Sequence, residues 1–263
     1  MPWGERSKVI RMPYKMILYE KESGVARLIF NRPEKKNAFT WAMLDEIVDA
    51  LRDAKRDNKV RLLIITGKDK AFSSGMDVSQ ISDVMSDRLM PTAVIVSELK
   101  DFEKPSIAMV NGPAVGAAVD VAIFCDFVVA SEEAFFWYSY IRRGAIPSVG
   151  SWLMPRIIGV KAAMRMLLLS ERISAQEAEK LGMVYKVVPP EILEGATMEL
   201  AKELMNMPAT AYKYTKHAIN RGLEWDLRTT TEFAMYARAV ASKQKEYDEG
   251  VSAFFEGREA KFD

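Results

Sequence analysis

Backbone amides mark where this chain could do chemistry. The stretches Lys70–Asp77 (KAFSSGMD) and Met109–Asp126 (MVNGPAVGAAVDVAIFCD) each run from an apolar, strand-like segment into a turn of small residues. In the second, a helix begins directly after the turn. The first N–H groups of a helix lack intrahelical partners and point outward, and small side chains let a ligand approach them closely. Two such turns, one from each stretch, can hold a single developing oxyanion between two N–H donors, which points to acyl chemistry. Other chemistries fit less well. The chain has one histidine, His217, which argues against a triad with a histidine base and against a zinc site of several imidazoles. Its one cysteine, Cys125, excludes an internal disulfide and a thiolate metal cluster, and in the apolar run VAIFCD it reads as a buried, inert thiol. Gly112–Ala118 lacks the G-x-G-x-x-G spacing of a dinucleotide site.

The elements that must position these turns alternate between strand and helix. Met16–Glu22 and Val25–Phe30 read as strands around the turn Ser23-Gly24. After the polar loop NRPEKKNAF, Trp41, Leu44, Val48 and Leu51 recur at helical spacing. Val60–Thr66 is almost wholly apolar, as in a strand covered on both faces. The pattern repeats with a helix, a strand at Ser106–Val110, a turn, a helix over Val115–Phe124 and a strand at Phe127–Ala130. This alternation predicts a mostly parallel sheet with crossover helices. Beyond Pro147 come a helix at Val160–Leu169, a capping box at Ser174–Glu177 with its helix ending near Gly182, and a last strand at Val184–Val188. From Ile192 onward the sequence reads as helical, with a break at Pro208.

At 263 residues and 49% apolar, the chain can bury a substantial core. A net charge of +1 gives no electrostatic pull toward nucleic acid, and Asp53–Lys59 mixes signs instead of forming a lysine-rich helix. No apolar run reaches the roughly 20 residues needed to span a membrane. The start, MPWGERSKVIRMPYK, lacks the apolar core of a secretory signal. A cytoplasmic protein is therefore expected, with residues 1–12 as a flexible tail, an α/β body over 13–190 and a helical region over 191–263.

From about Tyr14 to Asp263 the sequence resembles the crotonase superfamily, the enoyl-CoA hydratases and isomerases. NRPEKKNAF, the ITG closing the strand at Val60–Thr66, AFSSGMD, VNGPAVGAA, CDFVVASEEAFF, RISAQEAEKLGMV and EGVSAFFEGREAKF keep the family's order and spacing. The resemblance implies an α/β spiral of ββα units with a C-terminal helical region that trimerises and covers coenzyme A. It implies a homo-oligomer (a trimer or dimer of trimers), an acyl-CoA thioester as ligand, and neither metal nor cofactor beyond the coenzyme A of the substrate. Carried over by position, the oxyanion donors are the N–H groups of Met76 and Ala117. Alanine at 117, where glycine is usual, leaves a backbone donor in place. Lys35, Lys36 and Ala38 fall in the family's CoA-binding loop, and the resemblance also implies CoA contacts for Ser74, Asp77 and Val78 at the first turn. Phe254 and Arg258 match C-terminal elements that approach CoA, often from a neighbouring subunit. Lys35 and Lys36 also read simply as an exposed turn.

The departures bear on the reaction. Typical hydratases of the family use two glutamates; here their positions hold Asp120 and Tyr140. The paired carboxylates that flank a water are therefore absent. Asp120 sits near the start of an apolar helix, where desolvation raises its pKa and the helix N-terminus lowers it. One such base suffices to abstract a proton α to a thioester and so to move a double bond. The other reading of Asp120 is a structural cap or ion-pair member. Tyr140 either donates a hydrogen bond or walls the acyl pocket. Trp137, Tyr138 and Trp152 add aromatic surface, although strand alternation sends Trp137 and Tyr138 to opposite faces. If several rings line one pocket, a cyclic or aromatic acyl group suits it. Arg142 and Arg143 read as solvated, or as partners of a substrate carboxylate. Ser148, also placed at the acyl pocket, stands where some relatives carry an aspartate, so a covalent aspartyl route is unavailable. Two function classes result. One is an acyl-CoA hydratase or isomerase (with hydrolysis as a variant) using Asp120 and Tyr140. The other is an acyl-CoA-binding protein of the same fold without turnover.

Overall fold

The computed structural model describes residues 10–11, 14–80 and 91–262. Its strands are β1 (Ile10–Arg11), β2 (Ile17–Glu22), β3 (Val25–Phe30), β4 (Leu62–Gly67), β5 (Ser106–Val110), β6 (Ala114–Val115), β7 (Phe127–Ser131), β8 (Phe135–Trp137), β9 (Arg172–Ser174) and β10 (Lys186–Val188). Its helices are α1 (Trp41–Arg56), α2 (Pro91–Lys100), α3 (Ala117–Ile123), α4 (Ser148–Ile157), α5 (Val160–Leu168), α6 (Ala175–Lys180), α7 (Leu193–Met205), α8 (Ala209–Gly222), α9 (Leu227–Ala241) and α10 (Lys245–Glu256). Among the described residues the main sheet runs β1-β2-β3-β4-β5-β7-β10, and a small sheet runs β6-β8-β9. From β3 through β10 the main sheet is parallel, as the alternating pattern predicts. β4, apolar but for Thr66, is buried along its full length because α1 lies on one side and α7 on the other.

The differences from the sequence reading have local causes. Residues 10–11 lie in the stretch expected as a tail, yet pair antiparallel with Lys21 and Glu20. The helix expected from Val115 starts at Ala117, because Val115 is drawn into a parallel pair with Trp137. The C-terminal helical region divides. Leu193, Leu200, Ala201 and Leu204 of α7 pack on Val25, Leu62, Ile64, Ile107 and Val129, closing one face of the main sheet. α8 is tied to the body by Lys216, which is buried and donates to Asp126 Oδ2 at 2.8 Å and to the Lys104 carbonyl at 3.0 Å.

The loop that precedes α1 is laced to the end of β4. Asn37 is buried with a left-handed backbone (φ 56°), a conformation asparagine tolerates better than most residues. Its Nδ2 donates to the carbonyls of Lys68 and Ala71, at 2.9 and 2.8 Å, and its Oδ1 accepts from the Arg32 N–H. Phe39 N–H donates to Gly75 and Asp77 N–H donates back to Phe39. Replacing Asn37 with alanine removes the side-chain partner of the Lys68 carbonyl and of the Arg32 N–H, and leaves the buried Ala71 carbonyl with only a long 3.4 Å contact from Asn111 Nδ2. Asn37→Ala is expected to lower unfolding stability by about 2–4 kcal/mol in urea titrations, with Asn37→Asp recovering only part of the loss.

Candidate active site

The two small-residue turns lie against each other. Ser73 N–H donates to Pro113, and Val115 N–H donates back to Ser73. Gly75 adopts φ +80°, and a Cβ built on it would lie 2.4 Å from the Val115 carbonyl and 3.6 Å from the Ala117 nitrogen. Only glycine fits both the backbone conformation and the contact. The Ser73 hydroxyl finishes the first turn, accepting from Gly75 N–H and donating to the Asn37 carbonyl. In the second turn Gly116, at φ 58°, donates to the Trp137 carbonyl, and Ala117 opens α3. Among the described residues, neither the Met76 N–H nor the Ala117 N–H has an acceptor. Two unpaired donors thus come from turns that are bonded to one another.

Asp120 lies one turn further along α3 and is only 3% exposed. Its Oδ1 accepts a 2.6 Å hydrogen bond from the hydroxyl of Tyr138. Its Oδ2 has no partner among the described residues and is not sealed from solvent. Burial pushes the carboxyl up to about 7, and the Tyr138 hydrogen bond opposes that rise. Asp120 is therefore neither an ion-pair member nor a helix cap. It is a carboxyl poised to exchange a proton near neutral pH. Tyr140 stacks on Tyr138, with ring centroids 6.2 Å apart. Its hydroxyl lies 3.4 Å from where a Cβ on Gly116 would stand. Burial, and then the neighbouring Asp120, hold it as a neutral phenol by raising its pKa.

The remaining expected residues disperse. Trp137, in β8, and Tyr138, directly after it, find different partners. Trp137 donates Nε1 to Ser170 and carries the Arg172 guanidinium 4.5 Å from its ring, so it does not reach Asp120. Tyr138, expected as a pocket wall, is fully buried and its hydroxyl is committed to Asp120. The multi-ring wall that would favour a cyclic acyl group is accordingly not assembled, and Trp152 instead stacks with Arg156 and Lys100. Ser148 is exposed at the start of α4. Arg142 is exposed, and Arg143 donates to Ser139.

Lys35 and Lys36 are exposed on the 32–39 loop, and their carbonyls accept from the Ser74 hydroxyl and the Ser74 N–H. Ala38 is buried, and its carbonyl accepts from Arg32, which also pairs with Asp77 at 3.3 Å. Asp77 further accepts from the Ser79 hydroxyl, and Ser79 and Arg32 hold its pKa below the ordinary value. Val78 is exposed. Phe254 and Arg258 are not gathered with Asp120. Phe254 is 81% exposed beside a groove of about 550 Å³ formed by α8, α9 and α10, and Arg258 grips Glu249 and Glu256. Among the described residues no group of three or more His, Cys, Asp or Glu side chains could hold a metal ion, and no helix is long and apolar enough to cross a membrane. Sequence reasoning missed Tyr138 as the partner of Asp120. The available signal was parity, since Tyr138 lies two residues before Tyr140.

A family model described as enoyl-CoA hydratase/isomerase matches residues 20–263. The chain belongs to that family. Within the enoyl-CoA hydratase/isomerase family it is 33% identical over 260 residues to the 1,2-epoxyphenylacetyl-CoA isomerase of Escherichia coli (strain K12), covering 94% of this chain and 98% of that protein. It is 33% identical over 257 residues to the crotonyl-CoA hydratase of Syntrophomonas wolfei, covering 95% of this chain and 99% of that protein. Its fold matches the crystal structure of an enoyl-CoA hydratase subunit I from Geobacillus kaustophilus HTA426. The TM-score is 0.90 at 32% identity, over 96% of this chain and 99% of the other. The expected crotonase-type α/β fold is thereby established.

Burying an ionisable carboxyl has a measurable cost. The folded-state pKa of Asp120, about 7, lies above its ordinary 3.8. The folded chain therefore binds more protons than the unfolded chain between those values, and stability falls as pH rises from about 4 to about 7. Asp120→Asn keeps an acceptor for Tyr138 and removes the titration. It is expected to be more stable than the parent above about pH 8, by up to about 4 kcal/mol, with the difference vanishing near pH 4. Denaturant titrations across that range measure it.

Proposed function

We propose that the protein is an acyl-CoA enzyme that moves a proton on carbon next to a thioester, with double-bond isomerisation as the reaction best matched to its side chains. The observation that carries this reading is the pair of unpartnered N–H groups, at Met76 and Ala117, in two bonded turns beside a single near-neutral carboxyl. The thioester oxygen accepts from both N–H groups. Ionised Asp120 takes a proton from Cα of a β,γ-unsaturated acyl group through Oδ2. The electron pair spreads through a dienolate onto the oxygen held by the two donors. The same carboxyl then returns the proton at Cγ, leaving the double bond conjugated to the carbonyl. Tyr140, a neutral phenol beside Gly116, shapes the acyl end of the site and hydrogen-bonds the intermediate or a substrate group.

Hydration is the second reading. It gains support from the unpartnered Tyr140 hydroxyl, which can hold a water where typical hydratases of the family carry their second glutamate. Coenzyme A is proposed to lie along Lys35, Lys36, Ala38, Ser74, Asp77 and Val78. Phe254 and Arg258 are proposed to reach it from a neighbouring copy in a trimer or dimer of trimers. The wide exposure of Phe254, Phe255, Leu227, Met235 and Tyr236 on α9 and α10 supports such a contact.

A panel of enoyl-CoA thioesters incubated in heavy water separates the readings by mass. Isomerisation gives a product with its double bond moved and no water gained, carrying deuterium only as far as the Asp120 proton exchanges with solvent before its return; hydration adds one water. Tight binding without product, unchanged in Asp120→Ala, identifies a binding protein instead. Proline is tolerated at the first position of a helix, so Ala117→Pro removes one donor within a folded α3. It is expected to lower kcat/KM by at least about 100-fold. Asp120→Asn is expected to abolish measurable turnover with acyl-CoA binding retained.

A further inference from the structure

Tyr138 occupies an unusual position. A tyrosine hydroxyl sits inside the core, where every atom of the residue is withdrawn from solvent, and its one polar contact is with Asp120. The ring is fixed from two sides. On α4, a Cβ placed on Gly150 would lie 2.8 Å from the Tyr138 ring carbon Cζ and 3.1 Å from its hydroxyl, so only a residue without a side chain leaves room there. On the other side, Tyr140 stacks on it at an interplanar angle of 29°. The Ser170 hydroxyl donates to the Tyr138 carbonyl and pins the backbone. The hydroxyl is thus aimed by packing and has no freedom to seek another acceptor.

We propose that Tyr138 is the positioning residue of the site: its donated hydrogen bond binds Oδ1 of Asp120, leaving Oδ2 as the one oxygen offered to substrate. The inference rests on the proton-transfer reading above and names what makes Asp120 usable. A free carboxylate at this burial would rotate between equivalent oxygens and remain protonated to higher pH. A donor on Oδ1 removes both freedoms. The groups facing Asp120 are few. Tyr138 and Tyr140 are the phenols. On α2, which packs on α3, Glu98 is paired with Arg52 and Lys100 with Glu224. At the far end of α3, Asp126 is paired with Lys216. None of these pairs supplies a positive charge to Asp120, so among the described residues the Tyr138 hydroxyl is the one side chain that favours its ionisation.

Tyr138→Phe keeps the ring and its packing and removes the hydrogen bond. Chain labelled with carbon-13 at the aspartate carboxyl reports the titration of Asp120 directly by NMR, the resonance being the one lost in Asp120→Asn. The midpoint in Tyr138→Phe is expected to rise by about one pH unit. The acid limb of kcat/KM is expected to move upward by the same amount, with activity partly recovered at high pH. Gly150→Ala, which displaces the ring without altering its chemistry, is expected to shift the midpoint in the same direction. An Asp120 midpoint unchanged in Tyr138→Phe overturns the proposal. So does a loss of activity equal at every pH. A shifted midpoint in an enzyme whose Asp120→Asn form remains fully active supports the role of Tyr138 and overturns the acid–base reading of Asp120 instead.

Discussion

The contact between the turn at Ser73–Gly75 and the turn at Pro113–Gly116 governs the rest of the site. It is made of backbone: Ser73 and Val115 exchange hydrogen bonds with the opposite turn, and the Val115 carbonyl occupies space that any side chain on Gly75 would need. The N–H groups between are also spent, Ser74 on Lys36, Gly75 on the Ser73 hydroxyl and Gly116 on Trp137, and among the described residues those of Met76 and Ala117 are left without an acceptor. Loops rarely hold such a juxtaposition alone. Here the parallel strands β4 and β5 deliver the turns to the same end of the sheet, and the Asn37 amide and the Arg32–Asp77 pair fasten the 32–39 loop over the first turn. Precision at two amides is thus a property of the whole α/β body.

The same packing that orients the donors creates the carboxyl. α3 is buried throughout, and Asp120 is the one titratable group within it. An isolated carboxylate there would be expensive to ionise. A single neutral donor, Tyr138, offsets part of that cost and leaves a group whose proton is exchangeable near pH 7. A stronger partner such as arginine would hold the carboxylate ionised and a poorer base. No partner at all would leave it protonated. The intermediate choice costs stability at neutral pH and suits the proton transfer proposed for Asp120.

Much of this was legible in the amino-acid sequence, and the misses are physical. The continuous apolar run at β4, the helical spacing of Trp41, Leu44, Val48 and Leu51, and the Ser174 cap, whose hydroxyl accepts from Glu177 N–H, are local signals, and each corresponds to the expected element. The small-residue turns were equally readable, because the need for glycine at 75 is a backbone requirement. Val115 continues the apolar pattern of the helix that follows it; its pairing with Trp137 is a contact across 22 residues that no local pattern carries. Tyr138 and Trp137 were both recognised as aromatic surface. Which of them meets Asp120 depends on the space left by Gly150 on α4, a helix that starts ten residues after Tyr138. α7 was grouped with the C-terminal helices by sequence position, whereas its apolar face completes the main sheet. Asn37 looked like part of a polar loop; its role comes from the carbonyls of Lys68 and Ala71, which tertiary structure brings beneath it.

The central claim is that two amides, at positions 76 and 117, converge on one thioester oxygen. Infrared spectroscopy of an acyl-CoA carrying carbon-13 at the thioester carbonyl isolates that one bond in the bound complex. Polarisation by both donors predicts a carbonyl stretch clearly lower in frequency than in free solution, with the displacement roughly halved in Ala117→Pro. A bound thioester whose carbonyl stretch matches the free compound, in a complex shown to be saturated, would contradict it.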